Sequence, residues 1–261
     1  MGNSLARTDN GETIFNLLSS DNVKKRFAET TGKNFSVFKS AVTDIVKKNE
    51  ALQKCDPLSI VTAVMLAVNL NLQIAPSLGQ AYIVPMKGKA VLQIGIRGYI
   101  QLAYRSGQYK NLHAGVVHEG EIRSIHPVSG EPIIGEKISE EVIGYVAHLE
   151  LVNGFSKSIY MTKAEISEHA QKYSQSYAYD LKSEKKSSLW STNFDAMAQK
   201  TVLKKLLRHW GVMSVEMQQA LQSDSKIVDE NIFSREEIDI TPDDELESEF
   251  EKVSPEVFLT Q

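Results

Sequence analysis

QAYIVPMKGKAVLQIGIRGYIQLAYRSG, residues 80–107, is the stretch that decides the fold. AYIVPM at 81–86 and AVLQIGI at 90–96 flank a Lys87-Gly88-Lys89 turn, which is typical of a β-hairpin. The proline in the first strand predicts an edge or a bulge, because proline lacks the amide hydrogen that a central strand needs. After the hairpin, Tyr99–Ser106 predicts a short helix that ends at a glycine in the left-handed cap position.

The sequence before this stretch is helical in pattern. Apolar residues between 14 and 27 indicate a first helix, and those between 35 and 46 repeat at three and four residues for a second. Asp56 followed by Pro57 is an N-cap with proline at the first helical position. Because apolar residues then occur on all sides, we expect the third helix, 57–72, to be buried.

Strands follow the decisive stretch. They are predicted at Leu112–Val117, at Ile122–His126, and in the pair Val142–Val152 and Phe155–Tyr160. The pair flanks Asn153-Gly154, the strongest short hairpin signal in the chain, because both residue types tolerate the positive φ of the tight turn.

The last third of the sequence returns to helices. Thr162 and Glu165 predict a capping box that opens a helix, and Ser174–Ser188 predicts a mobile connector. A long amphipathic helix is expected over Leu189–Trp210, and a shorter one over Ser214–Gln222. Helices, then paired strands, then helices predict an α+β fold.

Charge divides the chain into a basic body and an acidic tail. The whole sequence has 33 acidic and 29 basic residues, and residues 224–261 hold 13 acidic and 3 basic ones. The remainder, 1–223, therefore holds 20 acidic and 26 basic residues, a balance of +6. We predict a DNA-binding core over 31–223 and a partly disordered, partner-binding tail over 224–261. The helical pattern ahead of the core predicts an N-terminal helical arm over 1–30, a candidate for self-association.

A stretch without carboxylates runs from Pro57 to His118. Its first part is the predicted buried helix, so the informative part is Tyr82–Lys110, where cations are expected without a nearby counterion. DNA phosphates would supply the missing negative charge, although a solvated surface explains the same pattern. The cations of this stretch are Lys87, Lys89, Arg97, Arg105 and Lys110.

The predicted late helix has a second cationic face. Val202, Leu203, Leu206, Leu207 and Trp210 share one side, and Lys200, Lys204, Lys205 and Arg208 the other. Trp190 and Phe194 would fall on the basic side and could stack on bases, but packing against another helix or subunit is the favoured interpretation. The tyrosines of the segment 174–188 and its neighbour Tyr173, with Lys172, Lys182, Lys185 and Lys186, fit either a clamp that closes on DNA or an ordinary solvated loop.

Other functional classes have little support. No phosphate-binding loop, dinucleotide fingerprint or nucleophile elbow occurs, so nothing calls for ATP or for a catalytic residue. The histidines at 113, 118 and 126, with Glu119 and Glu121, match no standard metal spacing. The lone Cys55 has no surrounding motif, and neither a secretory signal nor a membrane span is visible. We expect a cytoplasmic binding protein without cofactor or metal.

The run 80–107 resembles the signature of the phage RecT/Redβ family of single-strand annealing proteins. SIVTAVMLAVNLNL at 59–72 and VVHEGE at 116–121 extend the resemblance. In the late helix it includes Trp190, Phe194, Met197, Lys200 and Thr201. The chain departs from the family pattern at Ile96, where members usually carry an aromatic residue, and at Leu70-Asn71-Leu72, where Leu-Gly-Leu is common.

The resemblance implies ATP-independent annealing of complementary strands in phage-type recombination. It also implies self-assembly into rings or helical filaments, and partnership with a phage exonuclease, and with host single-strand binding protein, through the acidic tail. We expect Lys87, Lys89, Arg97, Arg105, Lys110, Lys200, Lys204 and Lys205 to line a two-walled groove. The alternatives are a passive single-strand coating protein and a metal-dependent nuclease that uses His118, Glu119 and Glu121.

Overall fold

The computed structural model describes residues 10–31 and 35–232, and it confirms the α+β fold. The helices are α1 (Asn10–Ser19), α2 (Asp21–Thr31), α3 (Phe35–Lys48), α4 (Glu50–Gln53), α5 (Pro57–Asn69), α6 (Ile96–Arg105), α7 (Lys163–Tyr173), α8 (Gln175–Ser183), α9 (Leu189–Thr192), α10 (Phe194–Trp210) and α11 (Val215–Ile232). The strands are β1 (Ala81–Met86), β2 (Lys89–Ile94), β3 (Tyr109–His118), β4 (Ile122–Ile125), β5 (Pro132–Ile134), β6 (Val142–Leu151) and β7 (Ser156–Thr162). None of these helices has the length and apolar character that a bilayer-spanning helix requires.

Helix α5 is the centre of the N-terminal half. Its N-cap is Asp56, whose carboxylate accepts a hydrogen bond of 2.9 Å from the Ser59 amide, as the Asp-Pro pattern predicted. Its buried side chains belong to one core cluster with those of α1, α2 and α3, in which Leu18 and Phe27 have almost no exposed surface. The predicted buried helix is therefore confirmed, with its last turn ending three residues early.

The first predicted helix is two helices. The chain breaks at Ser20, whose Oγ donates to the Leu17 carbonyl at 2.8 Å and accepts from the Val23 amide at 3.4 Å. A serine that satisfies backbone groups in this way ends one helix and starts the next. The role of residues 1–30 in self-association stays a prediction.

The predicted hairpin of the decisive stretch is confirmed. Strand β1 pairs antiparallel with β2 from Ala81 opposite Ile94 to Met86 opposite Lys89. The turn is one residue shorter than predicted, since only Lys87 and Gly88 connect the strands, and both have positive φ, at 47° and 78°. Helix α6 begins at Ile96, three residues earlier than predicted, because strand β2 ends at Ile94 and does not extend into the GIRG segment at 95–98.

A three-stranded antiparallel sheet of order β3-β6-β7 lies in the middle of the chain, with α10 packed on one face. The predicted Asn153-Gly154 hairpin connects β6 to β7, and Gly154 has a φ of 87°. A separate two-stranded sheet, β4–β5, continues from the end of β3; its second strand was not predicted.

Two predictions about the last third were wrong. The segment 174–188 is not a mobile connector, because it contains α8 and a polar network centred on Asp180. The long late helix is broken at Asn193 (φ −148°, ψ 55°), which separates α9 from α10. The capping box at Thr162 and Glu165 is confirmed.

The last described helix, α11, extends to Ile232, ten residues beyond its predicted end. The predicted boundary at residue 223 therefore lies inside this helix. Most of the predicted acidic tail lies outside the described residues, so its disorder and its partners stay predictions.

Candidate nucleic-acid interface

The tip of the β1–β2 hairpin presents Lys87 and Lys89 as exposed side chains. The tip is attached to α5 at two points: the Asp56 amide donates to the Gly88 carbonyl at 2.8 Å, and the Ala90 amide donates to Ser59 Oγ at 2.8 Å. Both lysines are therefore held by a rigid element. The attachment also brings Asp56 beside the tip, so the absence of carboxylates along the sequence does not persist in space.

Three glycines set the position of Arg97: Gly79, which directly precedes the decisive stretch, and Gly95 and Gly98 within it. A Cβ on Gly95 would collide with the Gly79 carbonyl oxygen, and one on Gly98 would collide with the Gln80 carbonyl oxygen. These close approaches seat the start of α6 directly on the segment before β1. Arg97 lies exposed in the first turn of α6, and its aliphatic chain passes over Gly79 beside the Tyr82 hydroxyl.

Arg105 has a structural task that the sequence did not reveal. Its guanidinium donates to the Leu70 carbonyl at 2.8 Å and to the Asn71 carbonyl at 2.6 Å. These are the carbonyls just after α5, where helix ends leave acceptors unsatisfied. Arg105 thus ties the C-terminus of α6 to the C-terminus of α5, and its donors are partly occupied.

Lys110 is paired, contrary to the expectation that the cations of this stretch lack counterions. Its Nζ lies 2.6 Å from Glu150 Oε1 on the neighbouring strand β6. The Lys110 side chain is mostly exposed and that of Glu150 is 29% exposed, so the pair contributes little to stability but reduces the positive potential at this point. Lys110 is consequently the weakest of the predicted groove residues.

Helix α10 has the amphipathic arrangement that was predicted. Val202, Leu203, Leu206 and Leu207 are completely buried, whereas Lys205 and Arg208 are exposed and Lys200 and Lys204 are half-buried. Trp210 is an exception, because it lies 45% exposed at the end of the apolar face and was predicted as core. There it stacks on Phe155 with ring centroids 6.4 Å apart, and the Lys157 Nζ lies 5.0 Å above its ring.

His169 marks a convergence of cations that sequence reasoning missed. Burial lowers the pKa of this imidazole, and the charges of Lys205, Lys204 and Lys172 lower it further. Its Nδ1 is buried without a hydrogen-bond partner. Three lysines from two helices, α7 and α10, therefore act on one side chain. The only sequence signal was the spacing of three residues between His169 and Lys172 on α7.

The aromatic residues predicted for stacking or packing form a cluster with one another. Trp190 is only 7% exposed, and its ring meets Phe194 edge-to-face at 5.4 Å and Tyr177 at 6.1 Å. Phe194 also lies 6.1 Å from Tyr145 of the sheet. In this arrangement Trp190 contributes to the core and offers little surface to a base.

Asp180 explains why the connector is ordered. Its buried carboxylate accepts hydrogen bonds from Ser187 Oγ at 2.6 Å, Ser191 Oγ at 2.6 Å and the Ser188 amide at 2.7 Å. These bonds, those from Ser187 and Ser191 foremost, hold the pKa of the carboxyl well below its usual range. The network joins α8 to α9 and leaves the lysines of this segment at the surface.

The residues proposed for a nuclease centre do not converge. His118 Nδ1 lies 3.2 Å from Glu121 Oε2, but the Glu119 carboxylate accepts from Ser139 Oγ at 2.9 Å instead. Within residues 10–31 and 35–232, no group of three or more His, Cys, Asp or Glu side chains is arranged to hold a metal ion.

Comparison with known proteins decides the family. A model of the RecT family matches residues 36–244. The chain belongs to the RecT family. Members of this family are single-strand annealing proteins that act in DNA recombination and bind single-stranded DNA. The decisive stretch, with the closely packed Gly95 and Gly98, and helix α10 both fall inside the matched region.

Two curated relatives cover most of the chain. An uncharacterized protein, YqaK of Bacillus subtilis (strain 168), is 42% identical over 233 residues, which are 88% of this chain and 76% of that protein. Protein RecT of Escherichia coli (strain K12) is 29% identical over 239 residues, which are 86% of this chain and 85% of that protein.

Proposed function

We propose that this RecT-family chain binds single-stranded DNA and anneals complementary strands without ATP, and that it is not an enzyme. The observation that carries the proposal is helix α10, which buries Val202, Leu203, Leu206 and Leu207 completely and holds four cations within nine residues on its other side. An apolar side this well packed fixes the orientation of the cationic side, which a phosphate backbone can then follow.

The cations differ in the strength of their support. On α10, Lys205 has the strongest support because it is exposed, whereas Lys204, like Lys200, is half-buried. Lys87 and Lys89 at the hairpin tip and Arg97 at the start of α6 come next, because all three are exposed on rigid elements. The remaining groove residues, Lys200, Arg105 and Lys110, have weaker support: Lys200 is half-buried, Arg105 holds α5, and Lys110 is paired with Glu150.

Annealing requires that two like-charged backbones approach while their base edges stay free. Lysine and arginine contacts to phosphates screen the repulsion and leave the sequence unread. Base pairing then supplies the free energy, so no nucleotide hydrolysis is needed. The aromatic cluster of Trp190 serves in this scheme to position the start of α10, by packing Phe194 against Tyr145.

The proposal extends to location and partners. A chain that anneals recombining DNA would act in the bacterial cytoplasm, encoded by a phage or prophage. It would assemble with copies of itself into a ring or filament on DNA. The acidic segment 224–261, with 13 acidic and 3 basic residues, would contact an exonuclease that generates the single strand, or a host single-strand binding protein.

The test is the rate at which two complementary oligonucleotides form a duplex, with and without the purified chain, in the absence of ATP. We expect the chain to accelerate duplex formation above the protein-free rate. Slower duplex formation would show a passive coating protein instead. Shortening of end-labelled strands on incubation with Mg²⁺ would show a nuclease, and intact strands would exclude one.

A further inference from the structure

Residues 118–141, which we call the arm, form a two-stranded extension of the three-stranded sheet that contacts β7, where Lys157 Nζ donates a hydrogen bond to the Ser129 carbonyl. The Glu119 amide donates to the Glu141 carbonyl at 2.9 Å and the Gly135 amide donates to the Glu121 carbonyl at 2.9 Å, after which β4 and β5 pair. The β4–β5 sheet has no third strand among the described residues. Two-stranded hairpins are marginally stable in water unless something covers them.

The arm carries an exposed apolar surface. Five of its aliphatic side chains expose between 41% and 89% of their surface, and they are Ile125, Val128, Ile133, Ile134 and Ile138. Large exposed apolar patches on a folded protein usually mark an interaction site. Among the described residues, no single helix or strand carries as many exposed aliphatic side chains as these 24 residues do.

The negative charge of the arm excludes DNA as its binding partner. The arm holds six glutamates, at 119, 121, 131, 136, 140 and 141, against Arg123 and Lys137, a balance of −4. A phosphate backbone would be repelled by such a surface. The chemistry that fits is an apolar surface with a cationic rim.

The chain itself has a surface of this kind, on α8 and the segment that follows it. Tyr179, Leu181 and Leu189 are about half exposed there. Around them lie the exposed residues Lys182, Lys185 and Lys186, with Lys185 Nζ 5.7 Å from the Tyr179 ring centre. The exposed Glu184 offsets one of these three charges, whereas Asp180 offsets none at the surface because its carboxylate is buried in the serine network, so the surface balance over residues 179–189 is +2. We call residues 179–189 the α8 patch.

We propose that the arm of one copy docks on the α8 patch of the next copy. The arm and the α8 patch are different surfaces, so two copies joined by one contact still have one unoccupied arm and one unoccupied α8 patch between them. Further copies can therefore add by the same contact, head to tail. Such a contact closes into a ring or continues as a filament. The inference rests on the proposed function, since it supplies the interface for the proposed assembly, and it leaves the cations of α10 outside the contact.

The experiment is charge reversal on each side, read by sedimentation velocity of the full chain with and without a long oligothymidylate. The arm variant carries Glu131→Lys and Glu136→Lys, and the α8 patch variant carries Lys185→Glu and Lys186→Glu. All four side chains are exposed. We expect each variant to self-associate at least about tenfold more weakly than the unmodified chain, because like charges would then face each other.

The decisive sample is an equimolar mixture of the two variants. In the mixture, a lysine-bearing arm meets a glutamate-bearing patch, and a glutamate-bearing arm meets a lysine-bearing patch, so assembly should return. One chain with all four substitutions should assemble as well. Lys47→Glu with Lys48→Glu on α3 is the matched control and should assemble normally. Unaltered assembly of the arm or patch variant, or no recovery in the mixture, would overturn the proposal.

Failure of this inference can be told apart from failure of the proposed function. If the unmodified chain anneals DNA but sediments as a monomer in both conditions, the docking proposal is wrong and the annealing proposal stands. If the α8 patch variant assembles normally but loses DNA affinity, the α8 patch is a DNA contact and the docking proposal is again wrong. Unchanged thermal unfolding of each variant confirms that its fold is intact.

Discussion

Replacing Lys204 and Lys205 with alanine tests the cationic side of α10 most directly. Both residues lie opposite the buried leucines of the helix, so their removal leaves the core contacts of Leu203 and Leu206 in place. Each phosphate neutralised by a lysine contributes roughly 0.7 to the slope of log affinity against log salt for single strands. The double variant should therefore lose about 1.4 from that slope.

This slope has a consequence that can be measured at two salt concentrations. Between about 50 and about 200 mM salt, a slope difference of about 1.4 corresponds to roughly a sevenfold change in relative affinity. The ratio of the variant's Kd to that of the unmodified chain should thus be about seven times larger at the lower salt concentration. The effect should be the same for any single-stranded sequence, since phosphate contacts do not read bases.

Fluorescence anisotropy of a labelled oligothymidylate, titrated at several salt concentrations, provides the measurement. The control is Lys47→Ala with Lys48→Ala, which removes the same charge from α3. If the salt slope of the Lys204 and Lys205 variant equals that of the unmodified chain, or if the control loses as much slope, these lysines do not contact phosphate and the reasoning from α10 is refuted.

Four further predictions concern the scaffold and its titration. Gly98→Ala should lower the free energy of unfolding by about 1–3 kcal/mol, because the added Cβ collides with the Gln80 carbonyl; denaturant unfolding without a change in midpoint would contradict this close approach. Arg105→Ala should lower the free energy of unfolding by about 1–2 kcal/mol in the same assay, because the Leu70 and Asn71 carbonyls lose their hydrogen bonds. If the loss is smaller than that caused by replacing another exposed arginine with alanine, these hydrogen bonds do not stabilise the fold. Tyr145→Phe should cost about 0.5–1.5 kcal/mol, since it deletes the 2.6 Å hydrogen bond to Asp195, and an unchanged melting temperature would argue that the bond is not formed in solution. Because the pKa of His169 is lowered in the folded chain, the unfolded chain binds a proton first as the pH falls below about 6.5, and the free energy of unfolding then decreases. Above that pH the contribution is fully present, so His169→Gln should flatten the acid side of the profile of stability against pH. Identical profiles for the two chains would disprove the shift.

The pKa of His169 also reports on DNA. Phosphates bound near Lys204 and Lys205 would offset the positive charge that lowers the pKa of the imidazole. Histidine NMR titration should therefore show a higher pKa for His169 when single-stranded DNA is bound. An unchanged value would place the DNA away from these lysines.

The features that the sequence alone determined are those whose cause lies within a few residues. Asp56 and Pro57 specify a helix start, Asn153-Gly154 specifies a tight turn, and Thr162 with Glu165 specifies a capping box, because in each case the partner groups are at most three residues apart. The two sides of α10 follow from a period of 3.6 residues for the same reason. The charge division of the chain and the family signature also needed no coordinates.

Only the tertiary structure decided which side chains meet across long separations. Arg105 and the Leu70 carbonyl are 35 residues apart, Lys110 and Glu150 are 40 apart, and no local period indicates either contact. Trp210 follows the apolar period of α10 yet lies exposed, because the sheet that covers the helix ends at the β6–β7 turn. The decisive stretch predicts a hairpin and a set of cations. Which of these cations are available to DNA is decided by groups distant in the sequence, such as the Leu70 carbonyl beside Arg105 and the Glu150 carboxylate beside Lys110.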